Sequence, residues 1–377
     1  MKVFTGQNVF SAALHRTKEM YEKGNVLVSF SAGKDSGVIL ELAIAVARKL
    51  GKLPVQVVMR DEEIMFPGTY EYAERIANRP EVEFHWLVAN QPIVNIFSRT
   101  EPYFWVFDPL VEPDKWVRKP PAFAQYIKEQ NIQHITTPAI VDFKNDLDTY
   151  VLTGLRASES MNRKMAIFSK GGYCTKRKQS SGNYTATPIY DWSDGDVYRF
   201  IKEKETDYNS AYDAMLRGGV AKSNMRIAPP TMAARAVKDL DFARRTWPQW
   251  FERVSDRLPG VRTAAMFGIR AVKPNRRYGE TWQSCFQREC IDEAPPWIAE
   301  RSRKAESIIL KRYAAKGIHE IPEASGGNVG TMGSSYKALA GIMYNGDPFA
   351  MKITGLKVVE PEFFRKGAGY WGGKPQW

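Results

Sequence analysis

The segment Ser29–Ser36 (SFSAGKDS) carries side chains suited to binding a phosphate. A short apolar run precedes it and a helical pattern follows it, so the segment is predicted to turn from a strand into a helix. Glycine lets the backbone approach an anion closely, and the N–H groups at a helix N-terminus point toward that anion. Lys34 adds a positive charge, and Ser31 and Ser36 add hydroxyl donors. The spacing is not that of a Walker A loop, because Asp35 follows the lysine and the required first glycine is absent.

Three further segments place charged side chains next to predicted strands or helices. They are Asp61–Thr69 (DEEIMFPGT), Thr153–Ser160 (TGLRASES) with Arg163 shortly after it, and Pro188–Val197 (PIYDWSDGDV). Carboxylates suit a hard cation such as Mg²⁺, and arginine pairs well with phosphate or carboxylate. For the arginines the alternative is a surface ion pair on a helix, and for Asp61 it is a capping role.

The elements around these segments alternate between strand and helix. Strands are predicted at residues 25–30, 54–60, 82–88 and 150–155, and helices at 37–50, 69–76 and 194–203. Gly51 is the expected C-cap of the first of these helices, and Ser193 or Asp194 the expected N-cap of the last. This alternation predicts an α/β domain whose parallel, twisted sheet has helices on both faces. Asp61 would then lie at the carboxyl edge of the sheet, beside the first loop.

The net charge of +12, from 54 Lys+Arg and 42 Asp+Glu, is concentrated in one part of the 377 residues. Residues 216–319 contain 21 Lys+Arg and 10 Asp+Glu. This stretch contains helical patterns at 232–254 and 296–315. A local basic field predicts contact with nucleic acid, either DNA or tRNA, and a solvated helical face is the alternative. Three parts are predicted: an α/β domain over 1–205, a basic, mainly helical region over 206–324, and a glycine-rich extension over 325–377. An aromatic, proline-rich stretch at 101–121 is expected to be an ordered insertion.

The three cysteines, Cys174, Cys285 and Cys290, are too few for a disulfide framework. Neither a signal peptide nor an 18-residue apolar run is found, so we expect a cytoplasmic protein without a membrane span. The cysteines are interpreted as isolated buried thiols or, alternatively, as three ligands of an iron-sulfur cluster. The four-residue gap between Cys285 and Cys290 departs from the usual pair of cluster ligands.

In the order in which they occur, the four motifs resemble those of the pyrophosphatase-loop (PP-loop) superfamily, which has the adenine nucleotide alpha hydrolase-like fold. Ser31-Ala-Gly-Lys-Asp-Ser36 is similar to its Ser-Gly-Gly-x-Asp-Ser loop. The other three segments resemble the acidic strand end with Phe-Pro-x-Thr, the Gly-x-Arg-x-x-Glu-Ser-x-x-Arg segment, and the Pro-Ile-x-Asp-Trp-x-x-x-Asp-Val run of its phosphoadenosine phosphosulfate reductase-like branch. Residues 208–227 resemble one subgroup, the prophage regulators named for activating immunoglobulin-binding protein genes, which often occur beside a ParB-like protein.

The resemblance implies that the chain binds ATP and Mg²⁺ and releases pyrophosphate. Catalytic roles would fall to Lys34, Asp35, Asp61 and Arg156, with Asp35 and Asp61 as the Mg²⁺ ligands. The nucleotide-binding residues it implies are Ser29, Ser31, Ala32, Gly33, Lys34, Asp35, Ser36, Arg60, Gly154, Arg156, Glu159 and Arg163.

Two departures from the family pattern bear on function. Ala32 replaces the second glycine of the loop, which a methyl group permits unless a positive φ is required there. Sulfonucleotide reductases carry a nucleophilic cysteine in a Glu-Cys-Gly-Leu-His-type tail, whereas the last 87 residues here contain no cysteine. A thioredoxin-dependent reductase mechanism, which needs that thiolate, is therefore disfavoured.

The leading hypothesis is an ATP-dependent adenylating enzyme that acts in nucleic-acid modification or in phage-linked regulation. One alternative is a DNA-binding regulator that senses a nucleotide without catalysis, and a second is a sulfonucleotide reductase. The basic run Lys176–Lys178 is interpreted as a loop near the site that closes over phosphate or contacts a nucleic-acid backbone. A merely solvated loop is the alternative.

Overall fold

The computed structural model describes residues 6–127, 141–179, 182–222, 225–228, 236–325 and 332–365. The chain forms two compact units, one comprising residues 1–91 and 107–229 and the other residues 92–106 and 230–377. This division differs from the three predicted parts. In the aromatic stretch 101–121, the residues up to Val106 belong to the second unit and those from Phe107 belong to the first.

The described residues form eight strands, of which six build one sheet in the first unit. The strands are β1 (Asn25–Ser29), β2 (Val55–Asp61), β3 (Val82–Ala89), β4 (Pro92–Val94), β5 (Tyr103–Trp105), β6 (Gln125–Ile127), β7 (Thr149–Leu152) and β8 (Tyr184–Ala186). The order in the large sheet is β6-β3-β2-β1-β7-β8, and every neighbouring pair is parallel. The predicted parallel α/β fold is thus confirmed. The chain leaves β1 toward β2 on one side and reaches β7 on the other, so the sheet order reverses at β1, where ligands bind in open α/β sheets.

Helices surround this sheet. They are α1 (Val9–Lys23), α2 (Lys34–Leu50), α3 (Thr69–Ala77), α4 (Met161–Ser169), α5 (Asp194–Lys204) and α6 (Ala211–Arg217). The predicted caps are confirmed: Gly51 ends α2 in the left-handed region with φ of 65°, and the Ser193 hydroxyl accepts from the Asp196 backbone N–H at the start of α5. The first unit extends past the predicted boundary at 205 because residues of and just before α6 hold the β1–α2 loop.

The second unit is mainly helical and includes the antiparallel hairpin β4–β5. Its helices are α7 (Ala236–Thr246), α8 (Pro248–Arg257), α9 (Val261–Phe267), α10 (Trp282–Gln287), α11 (Pro296–Ala314) and α12 (Tyr336–Met343). The single helical pattern predicted at 232–254 is two helices, because Pro248 lacks an N–H and begins a new helix. Among the described residues, no helix is both long enough and apolar enough to cross a membrane.

The described part of the glycine-rich extension packs into the core of the second unit. Leu339, Met343 and Ile353 belong to one buried cluster with Ile309 of α11. Buried Arg301 of α11 donates to the carbonyl oxygens of Gly346, Asp347 and Lys357 at 2.7–2.8 Å. These bonds tie residues 346–357 to α11, so the described part of the extension, 332–365, belongs to the second unit.

Candidate functional site

The loop between β1 and α2 is held in shape by its own side chains. The Ser36 hydroxyl donates to the Gly33 carbonyl at 3.0 Å and accepts from the Ser31 N–H at 3.2 Å. Gly33 is the N-cap of α2, so the first turn of that helix begins with Lys34, Asp35 and Ser36. The N–H groups of this turn give the loop the positive end of a helix dipole, which favours an anion.

Ala32 occupies the left-handed region, with φ of 54°, and is fully buried. A positive φ is the condition under which replacing the family's second loop glycine with alanine costs stability. The Cβ atom of an L-residue crowds its own backbone in the left-handed region. The loop therefore keeps a conformation that glycine adopts freely, although it has an alanine at that position.

Two buried side chains beyond residue 205 anchor the loop. Asn209 donates from Nδ2 to the Ala32 carbonyl and to the Thr69 hydroxyl, both at 3.0 Å. The Tyr212 hydroxyl accepts from the Lys34 N–H at 3.0 Å. Burial raises the pKa of Tyr212, so this hydroxyl stays protonated near neutral pH. Neither residue was among the predicted site residues, although both lie in the 208–227 segment used for the subgroup resemblance.

The loop after β7 approaches α2 so closely that only glycine fits at one position. A Cβ atom at Gly154 would lie 2.8 Å from the Asp35 carbonyl carbon and 2.9 Å from the Ser36 nitrogen. Gly154 therefore permits close packing of the two loops at the carboxyl edge of the sheet. Arg156, two residues further on, reaches the first turn of α2 because of this approach.

Arg156 lies in a buried ionic network instead of facing open space. It donates to Asp35 and to Asp194 at 2.7 Å each and to the Ser158 hydroxyl at 3.1 Å, and the residue is 1% exposed. The Lys34 amine is 3.2 Å from Asp35 and 3.5 Å from Asp194. Burial alone would raise the pKa of Asp194, but Arg156 and Lys34 outweigh it, and the net pKa is lowered. Two cations, Lys34 and Arg156, are thus paired with two carboxylates, Asp35 and Asp194, next to the first turn of α2.

A cleft of about 310 Å³ lies over the loop at the carboxyl edge of β1 and β7. Nine of its lining residues were predicted: Ser29, Ser31, Gly33, Lys34, Asp35, Ser36, Gly154, Glu159 and Arg163. Five others were not: Thr153, Leu155, Tyr212, Arg226 and Ile227. The cleft combines hydroxyls, the first turn of α2 and three cationic side chains, which is the chemistry that binds phosphate.

Four predicted residues do not line the cleft, namely Ala32, Arg60, Asp61 and Arg156. Asp61 ends β2 and is buried, where its Oδ2 accepts from the Trp86 indole at 2.8 Å and pairs with Arg118, and its Oδ1 accepts from the Glu63 N–H. Both of its oxygens already have protein partners. The helix-capping alternative is wrong, because the next helix, α3, has Gly68 as its N-cap and Asp61 accepts from a loop N–H instead.

The residues present do not fit a protein-held metal. Among the described residues, no group of three His, Cys, Asp or Glu side chains gathers to hold one. The carboxylates of Asp35 and Asp61, predicted to bind Mg²⁺, are each bonded to an arginine. The charge of both carboxylates is therefore already balanced by a cationic side chain.

The three cysteines do not form the iron-sulfur site that was the alternative reading. Among the described residues, the cysteines do not gather with one another or with other ligand side chains as a metal site, and all three are free thiols. Burial raises the pKa of Cys285 to about 11 and that of Cys290 to about 12, and it also raises the pKa of Cys174. Thiolates, which are the metal-binding form, are thus disfavoured.

The fold and cleft define a parallel α/β nucleotide-binding protein, and comparison with known proteins narrows the class. A family model described as the phosphoadenosine phosphosulfate reductase domain matches residues 25–254. The chain belongs to this family, a family of nucleotide-using enzymes, and the resemblance seen in the four motifs is confirmed. The prophage-regulator subgroup stays a prediction.

Individual relatives are distant. The chain is 26% identical over 399 residues to an uncharacterised protein of Escherichia coli (strain K12), YbdN, covering 98% of this chain and 96% of that protein. A phosphoadenylyl-sulfate reductase structure from Candida auris, in a phosphate complex, matches with 14% identity and a TM-score of 0.31, over 56% of this chain and 93% of that one. The U34-tRNA thiolase NcsA of Methanococcus maripaludis, with its 4Fe-4S cluster, matches with 12% identity and a TM-score of 0.34, over 71% and 81%.

Proposed function

We propose that the chain is an ATP-dependent adenylating enzyme that releases pyrophosphate. The observation that carries this proposal is the cleft at the carboxyl edge of β1 and β7. In it, the first turn of α2 and the side chains of Ser31, Ser36 and Lys34 surround a space suited to polyphosphate. Arg163 and Arg226 line the same cleft and supply further positive charge.

In the proposed reaction a nucleophilic atom of the acceptor attacks the α-phosphorus of ATP. A bond forms between that atom and phosphorus, the bond from phosphorus to the bridging oxygen breaks, and pyrophosphate leaves with the electron pair. The proton of the acceptor passes to solvent. The protein contributes positioning and electrostatic stabilisation of charge on the leaving pyrophosphate, for which Lys34 is the nearest cation to the loop.

Lys34 must change partners for this role. Its amine, with a side chain 5% exposed, now faces Asp35 and Asp194. A polyphosphate in the cleft offers more negative charge than these carboxylates, which keep Arg156 as a partner when the lysine turns away. The network of Arg156, Asp35 and Asp194 therefore holds Lys34 beside the site where the phosphates would lie.

The test is turnover of ATP by wild type and by Lys34→Ala, with AMP and pyrophosphate measured separately. We expect pyrophosphate and AMP in equal amounts when the acceptor is present, with the AMP either bound to the acceptor or freed when a second nucleophile such as water displaces it. Turnover should fall by about a hundredfold or more in Lys34→Ala. Lys49→Ala, an exposed lysine in the last turn of the same helix, is the matched control and should retain activity. No AMP and no pyrophosphate with DNA, RNA and partner protein all present would contradict the proposal.

A second candidate is a regulator that binds ATP and nucleic acid without catalysis. The pairing of Lys34 with two carboxylates favours it, because an amine so held does not contact phosphate. The same variants separate the two: a regulator would bind ATP, measured by calorimetry, and yield no AMP. A sulfonucleotide reductase is not proposed, because Cys285 and Cys290 are buried and the pKa values of all three thiols are raised.

The biological setting follows from the predicted partners. Nucleic-acid modification in phage-linked regulation, with DNA or tRNA as acceptor and a ParB-like protein as partner, is the setting proposed here. Comparing nucleosides from cells with and without the active chain by mass spectrometry tests it directly. A nucleoside present only with the active chain would identify the acceptor, and identical nucleoside profiles would contradict a role in modification.

A further inference from the structure

We propose that a crevice beside α4 is the acceptor subsite and that it takes one unpaired base of a single-stranded nucleic acid. This inference rests on the proposed function, since it names the acceptor that would meet ATP in the adjoining cleft. The crevice has a volume of about 110 Å³ and shares Leu155 and Arg163 with the nucleotide cleft. An occupant of the crevice would therefore lie next to the phosphates.

The crevice walls suit a flat, weakly polar group. They combine apolar surface from Leu155, Ala166 and Ile167 with the threonines Thr175, Thr185 and Thr187. Apolar walls with a few hydroxyls bury a ring and still offer hydrogen bonds to its edge. Bases reach such a crevice only when they are unpaired, so a duplex would have to open first.

The turn after α4 brings cations to the rim of this crevice. Gly171 and Gly172 have φ of 120° and 89°, which lets the chain reverse after Lys170. The Lys176 N–H donates to the Lys170 carbonyl at 3.0 Å, so these two lysines are neighbours. Lys170 itself lines the crevice. Cys174 and Thr175 run antiparallel to β8, and the Thr175 N–H donates to the Thr185 carbonyl.

The segment around the crevice is strongly basic. Residues 155–187 contain seven Lys+Arg and one acidic residue, Glu159. Three of the seven have carboxylate partners: Arg156 with Asp35 and Asp194, Arg163 with Glu159, and Lys178 with Asp148. The other four are Lys164, Lys170, Lys176 and Arg177; they make no ion pair within the described residues, and three of them lie within eight positions of one another. Several phosphates, as in a strand, match this spread of charge better than one phosphate does.

The exposed apolar side chains of α4 lie away from the crevice. Met161, Met165 and Phe168 are 69%, 63% and 55% exposed. In a helix of about 3.6 residues per turn they lie on the face opposite to Arg163 and Ile167, which line the crevice. The assignment of the crevice therefore rests on its own lining and on the basic segment around it, and that charge favours a polyanion over an apolar protein partner.

The predicted basic region at residues 216–319 is the other candidate surface for the strand. It contains 21 Lys+Arg and 10 Asp+Glu, and several of its arginines are paired with carboxylates: Arg244 and Arg245 with Asp241, Arg262 with Glu252 and Asp256, and Arg288 with Glu280 and Glu289. The crevice is assigned as the acceptor subsite because it shares Leu155 and Arg163 with the nucleotide cleft.

The test measures binding of fluorescein-labelled 12-nucleotide single strands, DNA and RNA separately, to the full chain by anisotropy over a salt series without ATP. The triple variant Lys170→Gln/Lys176→Gln/Arg177→Gln should bind at least about tenfold more weakly. Its slope of log affinity against log salt should be shallower by about 2. Lys49→Gln/Lys115→Gln/Lys119→Gln, which removes three exposed charges elsewhere in the first unit, should bind within twofold of wild type.

A second variant fills the crevice. Ala166 is exposed on α4, so Ala166→Phe should fold normally, as checked by thermal melting, and should weaken strand binding at least about tenfold. Ser169→Phe adds the same ring to the same helix at a residue that does not line the crevice, and it should bind like wild type. ATP binding, measured by calorimetry, should be unchanged in both variants.

Three results would overturn the subsite: the triple variant and Ala166→Phe binding the strand as wild type does, a duplex of the same sequence binding as tightly, or free nucleotide monophosphate competing as well as the strand. None of these depends on ATP turnover. Intact strand binding without AMP and pyrophosphate would instead overturn the proposed function alone.

Discussion

Each unit of the chain contains a buried arginine, and the partners of the two arginines differ in kind. Arg156 in the first unit is 1% exposed and bonds to the side chains of Asp35, Asp194 and Ser158. Arg301 in the second unit is 3% exposed and bonds to three backbone carbonyls. One buried cation is neutralised by carboxylates that can rotate and titrate, and the other is solvated by dipoles fixed in the fold.

The difference separates a rearrangeable network from a structural one. Burial lowers the pKa of Arg301, and the nearby charge of Asp347 raises it by less than burial lowers it. The backbone carbonyls that bond to Arg301 therefore replace the lost water only in part. Around Arg156 the lowered pKa of Asp194 shows that opposite charges dominate. A network of charged side chains beside a cleft can exchange partners with an anionic ligand, whereas backbone carbonyls cannot. We therefore expect changes at Arg301 to affect stability and changes at Arg156 to affect nucleotide binding as well.

The largest effect is expected from Arg301→Met. The change leaves three carbonyl oxygens without their donor in the core, and it should lower the free energy of unfolding by about 3 kcal/mol, measured by chemical denaturation. Arg303→Met removes an exposed arginine from the same helix and should stay within about 0.5 kcal/mol of wild type. If both variants were equally stable, the three bonds would not be holding residues 346–357 to α11.

Arg156→Met is expected to have a smaller effect on stability and a clear effect on nucleotide affinity. Asp35 and Asp194 keep Lys34 as a partner, so the loss of stability should be about 2 kcal/mol. Because Asp35 belongs to the first turn of α2, ATP affinity measured by calorimetry should fall by about tenfold. Arg156→Lys keeps the positive charge but cannot bond to Asp35, Asp194 and Ser158 at once. Its stability and its ATP affinity should both lie between those of wild type and Arg156→Met. Unchanged ATP affinity in both variants would show that the network does not position the loop.

Much of the sheet could be predicted from sequence because its strands are short apolar runs bounded by turn residues. The observed limits of β1, β2 and β3 lie within one residue of those predicted. Short strands with mixed composition, β6 and β8, were not predicted, because three residues carry too little periodicity. The break at Pro248 could have been read from the proline itself.

The candidate site could be predicted only where a motif is local. Ser31, Lys34 and Ser36 lie in one loop and could be named from the sequence, whereas Asn209 and Tyr212 contact that loop across more than 170 residues of sequence. The partners of Asp61, Trp86 and Arg118, are also distant in the chain, so the sequence does not show that this carboxylate is paired. Spacing predicts what a loop can bind, but it does not show which carboxylates the fold has already paired.

The pH dependence of stability tests whether the carboxylates around Arg156 stabilise the fold. The pKa of Asp194 is lowered in the folded chain from its ordinary value of about 3.8. A carboxyl with a lowered folded pKa contributes stability above its unfolded pKa, and this contribution is lost as pH falls through the folded pKa. Asp194→Asn should therefore melt below wild type at pH 6, and the gap should narrow as pH falls below about 4. Melting curves between pH 6 and pH 3 measure this, and a constant gap would show that Asp194 is not stabilised by Arg156 and Lys34.

The smallest effect is expected from Ala32→Gly, in the loop beside the network, where residue 32 has a left-handed conformation. Ala32→Gly removes the Cβ crowding, worth about 1 kcal/mol, but it also gives the unfolded chain more freedom, which costs a similar amount. The stability measured by denaturation should therefore change by less than about 1 kcal/mol. Ala32→Val places a β-branched residue at the same positive φ and should destabilise by at least about 2 kcal/mol, since the added methyl groups also have no space in a fully buried position. A valine variant as stable as wild type would mean that the loop does not need the left-handed conformation. In that case the surrounding residues would not fix the side chain or the backbone conformation at residue 32, whereas the partners of Arg156 and Arg301 fix those two side chains.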